Sequence, residues 1–180
     1  MNTLINYEIT DGILEITLDD SRNYNAFSKD LIIHFINILE SSKNKDEIRM
    51  LILKAAGKHF SAGADLQSMQ IMANSSQEDN LEDALLLHKF FETLNSFEKP
   101  VIALVHGKSM GGALGLIACC DIVIAESQAQ FCFSEVKLGL IPATIAPYVV
   151  RKIGFSQARH FFLTAEMFGA HTAKAIGLVH

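Results

Sequence analysis

With 180 residues, 49% of them hydrophobic and 19% charged, the chain is long enough and apolar enough to bury one substantial core, which excludes a disordered segment. A formal net charge of −5 leaves no basic footprint, so neither nucleic acid nor an anionic membrane surface is expected as its principal partner. No basic stretch followed by an apolar one opens the sequence, and the apolar run from Ser109 to Cys120 is shorter than the roughly 18 residues of a membrane span, so the expected compartment is the cytoplasm.

Tyr7 to Thr10 and Ile13 to Leu18 alternate apolar and polar residues around the turn signal Asp11-Gly12. This pattern predicts a β-hairpin with Leu14, Ile16 and Leu18 on one face. After the polar stretch Asp19 to Asn25, Ser28 can cap a helix on which Leu31, Ile32, Phe35, Ile36 and Leu39 recur at helical spacing. Met50 to Lys54 reads as a buried strand. Met69 to Asn80, polar and centred on Asn74-Ser75-Ser76-Gln77, reads as a mobile loop. Glu82 to Leu94 is a predicted helix, Pro100 to His106 a strand, the residues from about Gly112 a helix, and Ile122 to Ala125 a strand.

Arg151 to Leu163 and Thr172 to Ile176 are the last predicted helices. Alternation of strand and helix gives an α/β fold class, with residues 1–180 as one domain. An alternating apolar pattern begins at Gly177-Leu178-Val179-His180, where the sequence stops, so a C-terminally truncated chain is expected. Cys119, Cys120 and Cys132 are odd in number, lack CxxC spacing and sit among apolar residues. They read as buried reduced thiols, with neither a disulfide framework nor a metal site.

Three segments carry chemistry. Phe60-Ser61-Ala62-Gly63-Ala64-Asp65-Leu66 and Met110-Gly111-Gly112-Ala113-Leu114-Gly115 are rich in small residues, which let a ligand approach the main chain until peptide N–H groups can bind an oxygen that becomes negative. The second segment starts a helix, whose first N–H groups lack intrahelical acceptors. Glu135 stands among Phe131, Phe133, Val136 and Leu138, where desolvation raises a carboxyl pKa toward values suited to proton transfer. Taken singly, each has a plainer reading. The first is a tight turn with Asp65 at a helix start, the second a close helix–sheet contact, and the third a solvated glutamate.

Together, and with Gly139-Leu140-Ile141-Pro142 following Glu135, the three segments resemble the enoyl-CoA hydratase/isomerase (crotonase) family. The resemblance implies a spiral of repeated β-β-α units, here lacking the family's C-terminal helices, with an acyl-CoA thioester as substrate. It also implies no metal, no cofactor beyond the coenzyme A of the substrate, and a homotrimer or dimer of trimers at full length. It assigns the oxyanion-hole N–H groups to Ala64 and Gly112 and the acid/base role to Glu135. Substrate contacts fall to Ala62, Gly63, Asp65, Leu66, Gly111, Gly115 and Pro142, while Asp121 reads as structural.

Two departures stand out. Gly115 occupies the place where two-glutamate hydratases carry their first glutamate, so a one-carboxylate mechanism is implied, and Ala143-Thr144-Ile145-Ala146-Pro147 replaces a glycine-rich stretch. The runs Gly111 to Asp121, Gln130 to Val136 and Ile141 to Ala143 most resemble bacterial methylglutaconyl-CoA hydratases of leucine degradation. That implies addition of water across the 2,3 double bond of a branched, carboxylated enoyl-CoA. The alternatives are isomerisation of a 3-enoyl-CoA to the 2-enoyl-CoA, or acyl-CoA binding without catalysis. His59, His88, His106 and His171 lack ligand spacing, and Ser61 lacks a matched base. Lys108, Arg151 and Lys152 read as solvated charges, or as contacts for an acyl carboxylate or a CoA phosphate.

Overall fold

Strands β1 (Ile5–Thr10) and β2 (Ile13–Leu18) form the expected antiparallel hairpin, with Ile5 opposite Leu18 and Thr10 opposite Ile13. The computed structural model describes residues 4–72 and 74–180. Ser28 accepts a hydrogen bond from the Leu31 N–H at 3.3 Å and so caps α1 (Lys29–Ser42), whose Leu31, Ile32, Phe35, Ile36 and Leu39 are all buried. Strand β3 (Met50–Ala55) then runs parallel to β2, with Leu51 beside Leu14 and Leu53 beside Ile16.

The polar stretch after β3 corrects the expectation of a mobile loop over Met69 to Asn80. Leu66–Met72 is a helix, α2, and α3 runs over Gln77–Asn95, five residues earlier than Glu82. Ser76 and Asp79 form a reciprocal capping box, so the polarity of Ser75 to Asn80 belongs to a helix start rather than a loop. Residue 73, inside the stretch expected to be a loop, lies outside the described residues.

Strand β4 (Val101–Val105), strand β5 (Lys108–Met110), helix α4 (Gly112–Ala118), strand β6 (Ile122–Ala125) and strand β7 (Gln130–Cys132) follow in quick succession. The first sheet has the order β1-β2-β3-β4-β6, parallel from β2 onward. One face, carrying Leu14, Ile16, Leu18, Leu51, Leu53, Val101, Ala103, Val105 and Val123, is buried in the core. A second sheet of order β5-β7-β8 includes β8 (Phe168–Gly169). Two- and three-residue strands carry too little alternation to be legible as sequence, and none of these three is predicted from it.

Helix α4 is apolar on every side and buried from Ala113 to Ala118, as a helix enclosed by other elements must be. Phe90 of α3 packs on Phe27 and on Phe35 of α1, each pair of rings 5.0 Å apart and edge-on. These contacts fix α1 and α3 beside the start of α4; a fully buried phenylalanine contributes about 1.5–3 kcal/mol.

The single helix expected from Arg151 to Leu163 is two. Helix α5 (Ala146–Ile153) begins earlier, with Pro147 in its first turn, and Gly154, at φ +79°, breaks the chain before α6 (Phe155–Thr164). Helix α7 (Ala170–Ala175) follows β8, after which Leu178 and Val179 are buried. The His180 N–H donates to the Val123 carbonyl at 2.9 Å, and its Nδ1 accepts from the Val123 N–H at 3.0 Å. All three cysteines are free and buried, and burial pushes the Cys120 thiol up to about 12. Among the described residues no helix is long and apolar enough to cross a membrane.

Candidate active site

Two connections meet at the ends of the parallel strands. The loop after β3 runs through Phe60 to Asp65, and β5 leads through Gly111 into α4. Ser61 bridges Ser109, the Met110 N–H donates to the Ser61 carbonyl at 3.1 Å, and the Ser61 N–H donates to the Lys108 carbonyl at 3.4 Å. A third strand of chain joins them when the Phe27 N–H donates to the Gly63 carbonyl at 2.7 Å.

Glycine is needed where these connections touch. At φ +83°, a Cβ on Gly63 would stand 2.3 Å from the Met110 carbonyl oxygen and 3.0 Å from the Gly112 nitrogen, so only hydrogen fits between the loops. Gly111, at φ +50°, likewise turns the chain where a Cβ would lie 3.3 Å from Glu135 Oε1 and from Ser134 Oγ. Its N–H donates to the Cys132 carbonyl at 2.8 Å, which ties the turn to the end of β7, three residues before Glu135.

Neither the Ala64 nor the Gly112 N–H has a protein acceptor among the hydrogen bonds of the described residues. Gly112 opens α4, which leaves its N–H without an intrahelical partner, and the Ala64 nitrogen lies 3.8 Å from where a Cβ of Gly112 would be. Both residues line a cavity of about 350 Å³ together with Glu135, Phe27, Phe91 and Ile145. Two free N–H donors and a carboxyl group therefore share one space of mixed polar and apolar lining, an arrangement able to hold an oxyanion and move a proton at a neighbouring carbon.

Glu135 opens a short 3-10 turn (Glu135–Leu138), and its Oε2 is buried without a hydrogen-bond partner. Burial pushes its carboxyl above the ordinary glutamate range, opposed in part by a backbone hydrogen bond. The apolar setting differs from the one read in sequence: Phe131 and Phe133 are buried, but Val136 and Leu138 are 41% and 53% exposed.

The place of the missing carboxylate is filled. A Cβ on Gly115 would stand 2.2 Å from Ile145 Cγ2, 2.7 Å from Ile145 Cβ and 3.2 Å from Phe91 Cε1. Ile145 is 1% exposed and forms the wall that a glutamate at 115 would have to displace. Gly115 itself, expected as a substrate contact, is therefore covered and is not on the cavity wall.

Of the other expected site residues, Asp65 and Pro142 line the cavity, and Asp65 also caps α2 by accepting from the Ser68 N–H at 2.7 Å. Gly63 and Gly111 shape the backbone behind the wall, and Ala62 is exposed. Leu66 opens α2, and its side chain lies outside the described part of the structure. Asp121 accepts from the Val101 N–H at 2.8 Å, a structural bond between α4 and β4. Lys152 donates to the Cys120 carbonyl and Arg151 to Asn95, both at the far end of α4. His59 accepts from the Lys108 N–H at 3.3 Å, and His106 Nε2 bonds the Gly57 carbonyl at 2.9 Å. A second cavity, about 420 Å³, lies beyond Leu140-Ile141-Pro142 and is lined by apolar residues and Arg159, with no acid or base from the three segments.

Residues 8–180 match the profile of the family described as enoyl-CoA hydratase/isomerase. The crystal structure of an enoyl-CoA hydratase from Shewanella pealeana shares the fold with a TM-score of 0.96 and 46% identity, covering 99% of this chain and 67% of that one. A crotonyl-CoA hydratase of Syntrophomonas wolfei is 35% identical over 158 residues, which is 87% of this chain and 60% of the relative. The mitochondrial Delta(3,5)-Delta(2,4)-dienoyl-CoA isomerase of Dictyostelium discoideum is 30% identical over 177 residues, 93% of this chain and 60% of the relative. The chain thus spans between 60% and 67% of the length of these three proteins. With the profile matched over all but the first seven residues and the fold shared with solved relatives, the chain belongs to the enoyl-CoA hydratase/isomerase (crotonase) family.

Proposed function

We propose that the site binds an acyl-CoA thioester and transfers a proton beside its carbonyl, with hydration of a 2-enoyl-CoA as the reaction. The observation that carries this reading is the meeting of the unpartnered Ala64 and Gly112 N–H groups with the buried Glu135 carboxyl on one cavity. The thioester oxygen lies between the two N–H groups, which stabilise the negative charge it gains as an enolate forms. Water adds at the β-carbon, and Glu135 passes the proton to the α-carbon. Coenzyme A enters as part of the substrate, so no separate cofactor is needed. Resemblance of the runs Gly111 to Asp121 and Gln130 to Val136 to methylglutaconyl-CoA hydratases supports a branched, carboxylated acyl group.

Ile145 favours a second reading. An isoleucine packed over Gly115 leaves no second carboxylate to hold water, whereas moving a 3-enoyl double bond to the 2-position needs one carboxylate and no water. Incubation with methylglutaconyl-CoA in oxygen-labelled water separates the two. Label at the β-carbon supports hydration; absence of hydration together with efficient conversion of a 3-enoyl-CoA makes the protein an isomerase.

A further inference from the structure

The Gly63–Ala64 peptide carries one of the two unpartnered donors of the site. Gly63 sits at φ +83° with no side chain to restrict it, so the orientation of the Ala64 N–H has to be set from outside the loop. In a planar trans peptide the N–H of Ala64 points opposite to the carbonyl of Gly63, so whatever holds that carbonyl aims the N–H. The Phe27 N–H holds it at 2.7 Å. The preceding peptide is held as well, because the Gly63 N–H donates to Ser61 Oγ at 3.0 Å.

Both holds lead back to one buried residue. Asn25 is fully buried at φ +54°, and its side chain bonds on every side: Nδ2 donates to the carbonyls of Ala56, His59 and Phe60 at 2.9, 3.1 and 3.1 Å, and Oδ1 accepts from the Asp20 N–H at 2.9 Å. Its own carbonyl accepts from Ser61 Oγ at 2.7 Å, the hydroxyl that in turn accepts from Gly63. One residue earlier, the Tyr24 carbonyl accepts from the Ala62 N–H at 2.9 Å. Neither Asn25 nor Ser61 lines the cavity, and neither contributes an acid, a base or a nucleophile.

We propose that Asn25 and Ser61 are positioning residues for the reaction: together they lock the peptides on both sides of Gly63 so that the Ala64 N–H stays turned toward the substrate oxygen. The claim rests on the oxyanion-hole reading given above. Ser61 passes the constraint to Gly63, and Asn25 anchors the segment from which Phe27 reaches the Gly63 carbonyl. Loss of the Ser61 hydroxyl releases the Ala62–Gly63 peptide and with it the turn at Gly63 that sets the direction of the Ala64 N–H, and a donor that has turned away no longer stabilises the transition state, while the hold on coenzyme A is kept.

Ser109 supplies the control. It is the bridge partner of Ser61, equally buried, but its hydroxyl has no hydrogen-bond partner. The experiment binds a conjugated aryl-enoyl-CoA, whose absorbance shifts to the red when donors polarise its thioester carbonyl, to the 180-residue chain and its variants. The unmodified chain and Ser109→Ala are expected to show the same red shift. Ser61→Ala is expected to bind the probe but lose more than about half of the shift, with kcat on an enoyl-CoA at least about tenfold lower and KM within about twofold. Where the alanine unfolds the chain, Ser61→Cys keeps the volume with a much weaker donor and acceptor and is expected to show the same loss. A bound probe with no shift in the unmodified chain overturns the hole and this proposal with it. A full shift in the folded Ser61 variant, or an equal loss in Ser109→Ala, overturns the positioning role and leaves the hole standing.

Discussion

The two sides of the cavity are built from different material. On one side Ala64 and Gly112 present main chain; glycine at 63 lets the loops touch at a distance no Cβ tolerates, and glycine at 111 takes the φ of +50° that turns the chain. On the other, Glu135, Phe91 and Ile145 present side chains, with Phe91 and Ile145 buried. On the proposed reading, the backbone side recognises an oxygen common to every thioester. Differences in reaction or acyl group therefore fall on the side-chain side, which is where this chain departs from the two-glutamate pattern.

Breaking the side-chain side at the proposed proton carrier has the largest expected effect. Glu135→Gln keeps the shape and removes the titratable group, so turnover is expected to fall at least about a hundredfold while acyl-CoA binding, followed by calorimetry, is retained. Breaking the backbone side comes next: Gly112→Pro deletes one donor, and kcat is expected to fall by about 3–4 kcal/mol of transition-state stabilisation in a chain whose circular dichroism is unchanged. Proline is tolerated in a first helical turn, although Gly111 before it is constrained.

The comparison sharpens at Ile145. Ile145→Ala opens the space over Gly115 and is expected to lower stability by about 2–5 kcal/mol in urea unfolding, the usual range for truncating a buried isoleucine. Gly115→Glu alone is expected to unfold or displace the wall, since its Cβ would overlap Ile145; paired with Ile145→Ala, it is expected to recover stability and raise hydration relative to isomerisation. If Gly115→Glu alone folds with the stability of the unmodified chain, the wall is not filled as described.

The smallest effect is on stability and pH. Burial raises the Glu135 carboxyl above its unfolded value, so its contribution to stability is fully present below the ordinary glutamate range and is lost as pH rises through the raised value. Glu135→Gln is therefore expected to match the unmodified chain in acid and to be the more stable of the two near neutrality, by thermal melting at a series of pH values. Turnover that needs the Glu135 carboxylate as base should rise with pH through that same raised value.

How much of this was legible in sequence follows the same division. The hairpin, α1 with its Ser28 cap, and the buried strands announce themselves through periodicity. The three segments that meet at the cavity are readable only together and through their resemblance to the family's motifs, since each taken singly has a plainer reading. Strands β5, β7 and β8 are too short to show a period. The helix start at Ser76 resembles a loop because capping uses the same polar residues as turns. Ile145 covering Gly115 is a contact between residues 30 apart, and the bonds of Asn25 reach from Asp20 to Phe60. No local pattern carries either. A buried asparagine followed by Ala26-Phe27 gives no signal of its own until the loops it ties are seen side by side.

The most direct test of the central claim is a crystal structure with an unreactive saturated acyl-CoA bound. The account predicts the thioester oxygen about 2.7–3.1 Å from both the Ala64 and Gly112 nitrogens, with the α-carbon facing the Glu135 carboxyl. A thioester seated instead in the apolar cavity beside Phe155 and Phe162, or an oxygen bonded to neither nitrogen, would contradict it.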